Sequence, residues 1–156
     1  MAEPKERDFW RETWVRYLGY ANEVGESFRP IVPNKVVRAS YAVAVLYTFA
    51  DCGDKGFRMY QKDGRPRSVA IETTDALIWQ TLASVAIPGY VINRICAYSH
   101  RSLAKYTKAS MGARNWITVG IGLLSIPFIV HPIDDGTTWL MDKTFRKWVH
   151  ENPAEI

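Results

Sequence analysis

Residues 76–92 and 116–133 carry no charged side chain, in a chain that is 23% charged as a whole. Segments of that kind have to leave water, either inside a protein core or inside a bilayer. A third segment, 34–52, is almost as apolar, with Arg38 as the one charge near the start of its apolar run. A membrane helix needs about 20 mostly apolar residues, and runs of about 10–14 belong more often to buried core helices. Length alone leaves these three between the two cases. Their residues are apolar all round rather than striped, which separates a spanning helix from the surface helix of a small soluble domain. Trp79, Tyr90, Tyr98 and Trp116 stand near the segment ends, where a ring with one apolar and one wet edge suits a bilayer interface. The mean hydropathy of −0.17 and the 47% hydrophobic content would describe a soluble protein, but an average hides this clustering.

The reading that follows is all-α: residues 1–156 form one membrane domain, a small multi-span helix bundle with amphipathic flanks. Spans are expected at 34–52, 75–95 and 116–133. Residues 7–29 predict an amphipathic helix, because Trp10, Trp14, Tyr17, Leu18, Ala21, Val24 and Phe28 recur at three- and four-residue steps. Its mixed charges favour packing on protein. Pro30 and Pro33 end it. Residues 137–150 predict a second, basic amphipathic helix suited to the membrane interface. Residues 55–72 and 94–115 read as polar connections. Pro88, Pro127 and Pro132 are candidate kink positions, with Ser84 and Ser125 placed to satisfy freed carbonyls. With three spans, residues 1–38 and 94–115 share one side at net charge +6, and 51–75 with 134–156 share the other at −2. The more basic side is the inner one. Segments 82–94 and 121–133 also echo each other at an offset of 39, with Ile-Pro at matching places, and chance or a shared need for kinked helices accounts for that.

The chain shows none of the arrangements that catalysis needs. Gly120-Ile121-Gly122 begins a glycine-rich pattern, but Ser125 stands where the third glycine would be and no strand precedes it, so close helix packing explains the glycines. His100, His131 and His150 are scattered, without neighbours at metal-ligand spacing. Cys52 and Cys96 make no disulfide scaffold, and three spans would put them at opposite faces of the membrane. The expectation is a non-enzymatic protein with no catalytic, cofactor-binding or metal-binding residues. The first residues lack the apolar core of a secretory signal, and Glu3, Glu6, Asp8 and Glu12 do not fit a transit peptide, so internal targeting is expected. Arg94, Arg101, Lys105, Lys108 and Arg114 have no acidic residue among them. They are candidate contacts for anionic lipid, at about 1 kcal/mol each near a charged surface, or orienting charges alone. Nucleic acid is not an expected partner, because only Tyr98 and Tyr106 interleave with these charges.

Longer strings carry more specific information. Residues 14–26 (WVRYLGYANEVGE), 79–89 (WQTLASVAIPG), 92–94 (INR), 125–127 (SIP) and 131–134 (HPID) resemble, in that order, the mitochondrial fission process protein family. The resemblance implies a multi-pass protein of the mitochondrial inner membrane that promotes mitochondrial division, with links to apoptosis. It brings no catalytic residues. The lipid bilayer and inner-membrane proteins are then the expected partners. A small carrier or channel, or a regulator of one, is the alternative, motivated by Gln80, Ser84, Ser125 and His131 within broken apolar helices.

Overall fold

The computed structural model describes Trp10 and residues 13–151, and every element among them is helical. A 3₁₀ segment, Trp14–Tyr20, starts at Thr13, whose side chain accepts from the Val15 N–H at 3.3 Å. It runs into α1, Ala21–Phe28. Helix α2 is Asn34–Asp63, and α3 is Pro66–Gln80. A π-helical turn, Thr81–Ala86, joins α3 to α4, Ile87–Tyr106. Helix α5 is Met111–Lys143, and α6 is the short Phe145–Glu151.

Three connections differ from the sequence-based expectation. The polar stretch 55–72 is mostly helix: α2 continues to Asp63 and ends where Gly64 takes φ +67°, the left-handed conformation that closes a helix. Pro66 then opens α3 at its first turn, where a missing N–H costs nothing. Likewise most of 94–115 is helical, since α4 runs to Tyr106 and Ser110 caps α5 by accepting from the Ala113 N–H at 3.3 Å. The expected helix at 137–150 is divided, its first half forming the end of α5 and its second half α6. Polarity marks exposure, and an exposed backbone can still be helical.

Two continuous helical stretches, Pro66–Tyr106 and Met111–Glu151, are long and apolar enough to cross a membrane. The expected third span does not meet that standard. Helix α2 carries Lys35, Arg38, Asp51, Asp54, Lys55, Arg58, Lys62 and Asp63, so its charge-free stretch, 39–50, is too short to cross a bilayer.

The 3₁₀ segment and α1 pack among the long helices, with α1 against α2, α4 and α5. Among the described residues of 1–38, this differs from the expected placement on one side. The indole N–H of Trp10 donates to Asp54 at 3.0 Å, and Arg16 pairs with Asp134 at 3.3 Å. At the other end of the segment Asn115 donates to the Pro30 carbonyl at 3.3 Å. The N-terminal segment therefore threads the bundle lengthwise, and the +6 against −2 division does not describe two faces. Cys52 and Cys96 are buried free thiols.

Prolines sit where the backbone adapts. Pro88 cannot donate to the Ser84 carbonyl, and the wider π turn before it lets the Ile87 N–H reach Leu82 instead. Helix α5 continues through Pro127 and Pro132. Ser125 bonds the Ile121 carbonyl at 2.7 Å, and Ser84 donates to the Gln80 side chain at 2.6 Å. Neither serine serves the carbonyl its proline strands.

Candidate functional site

The N-terminal segment turns its polar residues inward. Asn22, Glu23, Glu26 and Ser27 are at most 2% exposed, whereas Trp14 and Tyr17 are more than 70% exposed. Its apolar side is thus the outer one. Glycines make the inward packing possible: a Cβ at Gly25 would collide with Ser40, and one at Gly122 would lie 2.7 Å from Ser27 Oγ and 2.8 Å from Cys96 Sγ.

Glu26 is the hub. Arg29 donates to both its oxygens at 2.7 Å, Tyr41 donates at 3.0 Å, and Asn93 reaches in from α4 at 2.9 Å. Burial alone would raise this carboxyl, but hydrogen bonds from Arg29, Asn93 and Tyr41 with the charge of Arg29 hold it below its ordinary value. One turn earlier Glu23 has the opposite environment. Neither of its oxygens has a hydrogen-bond partner on another residue, and burial, opposed only by its own backbone N–H and helped by the negative charge of Asp134, pushes the carboxyl up to about 8. Beside it, the Asn22 amide donates to the Val85 carbonyl at 3.1 Å, while its oxygen is unsatisfied. That carbonyl lies in the π turn.

Below this pair a second polar group joins α2 to α3 and the π turn. Gln80 donates to Asp51 at 2.5 Å, Lys55 donates to the same oxygen at 2.7 Å, and Ser84 donates to Gln80. Asp51 is fully buried and its other oxygen has no partner. A cavity of about 230 Å³ opens here between Arg16, Gly19, Tyr20, Tyr47, Trp79, Gln80, Ser84 and Asp134. Sequence reasoning singled out Gln80 and Ser84, which do meet. Ser125 bonds its own helix, and His131 lies on an outer groove with Trp14, Tyr17 and Pro127. Glu23, Glu26 and Asp51 were missed as interior groups. The polar face of 7–29 held the signal, but a polar face is normally assigned to water.

At the far end, Arg94, Arg101, Lys105 and Lys108 are exposed. The first three recur along one stripe of α4, with Tyr90, Tyr98 and Tyr106 nearby. Arg94 lies 5.6 Å from the Tyr90 ring centroid and Lys105 5.2 Å from that of Tyr106. Arg114, half-buried on α5, has an Nε without a hydrogen-bond partner. A cleft of about 430 Å³ is open at this end, lined by Arg29, Pro30, Asn93, Cys96, Ala97, His100, Arg101, Met111 and Asn115. No group of three or more His, Cys, Asp and Glu side chains able to hold a metal ion occurs among the described residues.

Known proteins resemble the chain over nearly its whole length. It is 49% identical to mitochondrial fission process protein 1 of Homo sapiens over 155 residues, covering 94% of this chain and 93% of the relative. The Danio rerio protein of the same name is 47% identical over 152 residues, covering 95% and 92%. The Caenorhabditis elegans one is 49% identical over 150 residues, covering 93% and 90%. No solved structure matches the chain. The family model described as mitochondrial 18 kDa protein (MTP18) matches residues 7–77 and 67–139, a range that takes in the N-terminal segment, the buried polar groups and the basic end. The chain belongs to that family.

Proposed function

We propose that this chain is a non-enzymatic, multi-pass protein of the mitochondrial inner membrane that promotes or regulates mitochondrial fission and membrane organisation. The names of its relatives support the process and the organelle. Support for a membrane site comes from the inverted polarity of the bundle. Leu46, Phe49, Phe57, Leu124 and Phe128 are at least 60% exposed, while Thr48, Asp51, Gln80, Thr118 and Thr137 are at most 3% exposed. In water that arrangement leaves large apolar side chains unburied and desolvates polar ones. In lipid it puts small and polar residues between helices and apolar ones against acyl chains. The buried carboxylates are used structurally, Glu26 holding α1 to α2 and α4. Arg94, Arg101, Lys105, Lys108 and Arg114 would meet anionic head groups at the bundle end, and kinked helices would carry that contact into membrane shape.

Two measurements test this reading. Protein in isolated mitochondria should stay in the pellet after alkaline carbonate washing, and release would sink the membrane assignment. Depleting the protein should elongate the mitochondrial network, and unchanged morphology would sink the fission role.

A second reading, a small carrier or channel or a regulator of one, is favoured by the unpartnered oxygens of Asn22, Glu23 and Asp51 in the interior. Buried ionisable groups in membrane proteins mark ion and proton paths. Folded protein in liposomes should then pass protons or solute, with Gln80→Ala altering the flux. A silent preparation removes this reading.

A further inference from the structure

The cleft at the basic end has features that a diffuse charged surface lacks. Three separate elements line it: the end of α1 gives Arg29, α4 gives Asn93, His100 and Arg101, and α5 gives Asn115. Its walls are held by their own hydrogen bonds. His100 Nε2 meets the Asn115 side-chain oxygen at 3.0 Å, Asn115 donates to Pro30, and Asn93 is fixed on Glu26. The cleft is therefore preorganised, and its volume of about 430 Å³ lies within the ordinary range of roughly 300–1,000 Å³ for ligand sites.

Its charge is unbalanced. Arg29 is matched by Glu26, which takes two of its donors at 2.7 Å. Arg101 makes no ion pair or hydrogen bond among the described residues, and its own helix, α4, carries no acidic residue. An arginine with all its donors open, at the rim of a fixed cleft, suits a planar or tetrahedral oxyanion. The rest of the lining includes Pro30, Ala97 and Met111, which offer nothing to a free ion but would cover glycerol and the first methylenes of an acyl chain. The cleft also lies where the two helices of membrane-spanning length turn back on each other, beside Tyr98 and Trp116, each more than 60% exposed.

We propose that this cleft binds the phosphate of an anionic phospholipid, with Arg101 as its charge partner and the acyl chains leaving along the outer faces of α4 and α5. The site rests on the membrane reading above, but its test does not require membrane insertion.

Purified full-length protein in neutral detergent micelles is unfolded by heat, followed by tryptophan fluorescence, while phosphatidylglycerol, phosphatidylcholine or inorganic phosphate is titrated in. Phosphatidylglycerol should raise the midpoint saturably, and the other two should not. Arg101→Gln should weaken the apparent affinity at least fivefold, and Arg101→Lys should retain more of it than Arg101→Gln. Arg101 is exposed, so the midpoint without lipid should be unchanged and shows that the variant folds. Lys147→Gln, a basic site on α6, should bind like the parent. The proposal is overturned if Arg101→Gln binds as the parent does, or if Lys147→Gln loses as much. Saturable stabilisation by inorganic phosphate that competes with the lipid would also overturn it, reassigning the cleft to a free anion. Failure here leaves the carbonate and depletion results intact, so the two readings fail separately.

Discussion

Glu23 and Glu26 are one helical turn apart and nearly equally buried, yet their chemistry diverges because only Glu26 has donors on other residues. An acid whose folded pKa is raised destabilises the fold as pH rises. The unfolded chain releases the Glu23 proton near 4.5, while the folded chain keeps it to about 8, so this group's contribution falls across that window and is level above it. The charged and titratable neighbours that act on it are Asp134 of α5, Tyr20 and Tyr41. Thermal unfolding in detergent at several pH values should show the wild-type midpoint falling between pH 5 and 8. Glu23→Gln should flatten that dependence and be more stable at pH 8.5, by on the order of 2 kcal/mol. Equal pH profiles for the two proteins would mean that Glu23 is paired or hydrated in solution.

At the scale of elements, the bundle depends on close approach. Helix α1 can bury a polar face only because the facing helices bring small residues to it, and Gly122 of α5 meets Ser27 of α1 and Cys96 of α4 together. Gly120, two residues away, has open space within 4 Å of where a β-carbon would sit. Gly122→Ala should therefore cost about 1–3 kcal/mol through overpacking. Gly120→Ala should be neutral or slightly stabilising, because alanine is the better helix former. Chemical or thermal unfolding of the two variants side by side decides it, and equal effects would contradict the three-helix junction. The π turn belongs to the same scale. Pro88 removes one N–H, and the wider register that precedes it presents the Val85 carbonyl to Asn22. A proline expected only to kink the helix thus also prepares a docking point for the N-terminal segment.

For the molecule as a whole the informative property is the reversal of polarity between inside and outside. Phe128 is 78% exposed on α5. If that surface faces water, Phe128→Asp is a surface change worth under about 0.5 kcal/mol. Facing lipid, the new charge costs about 2.5–3.5 kcal/mol at mid-bilayer. The variant should then be partly released by alkaline carbonate, whereas Lys147→Asp on α6 should stay membrane-bound. Full retention of Phe128→Asp would place that face against protein or water.

The chain by itself determined its helical class, because charge-free segments as long as 76–92 and 116–133 exceed the usual length of a buried strand and fit helices, which supply their own backbone partners. It also placed Trp14, Tyr17 and Val24 on one face, and they line one groove; the stripe of Arg94, Arg101 and Lys105 exists only because the expected connection at 94–106 is helical. Its ordered strings located the family. Periodicity, however, assigns residues to faces without saying which face is inward. Only the tertiary structure decided that the N-terminal segment threads the bundle polar side in. That outcome depends on contacts between residues far apart in sequence, such as Arg16 with Asp134 and Asn93 with Glu26. The cleft around Arg101 has the same origin, since its walls come from three helices whose juxtaposition no local pattern encodes.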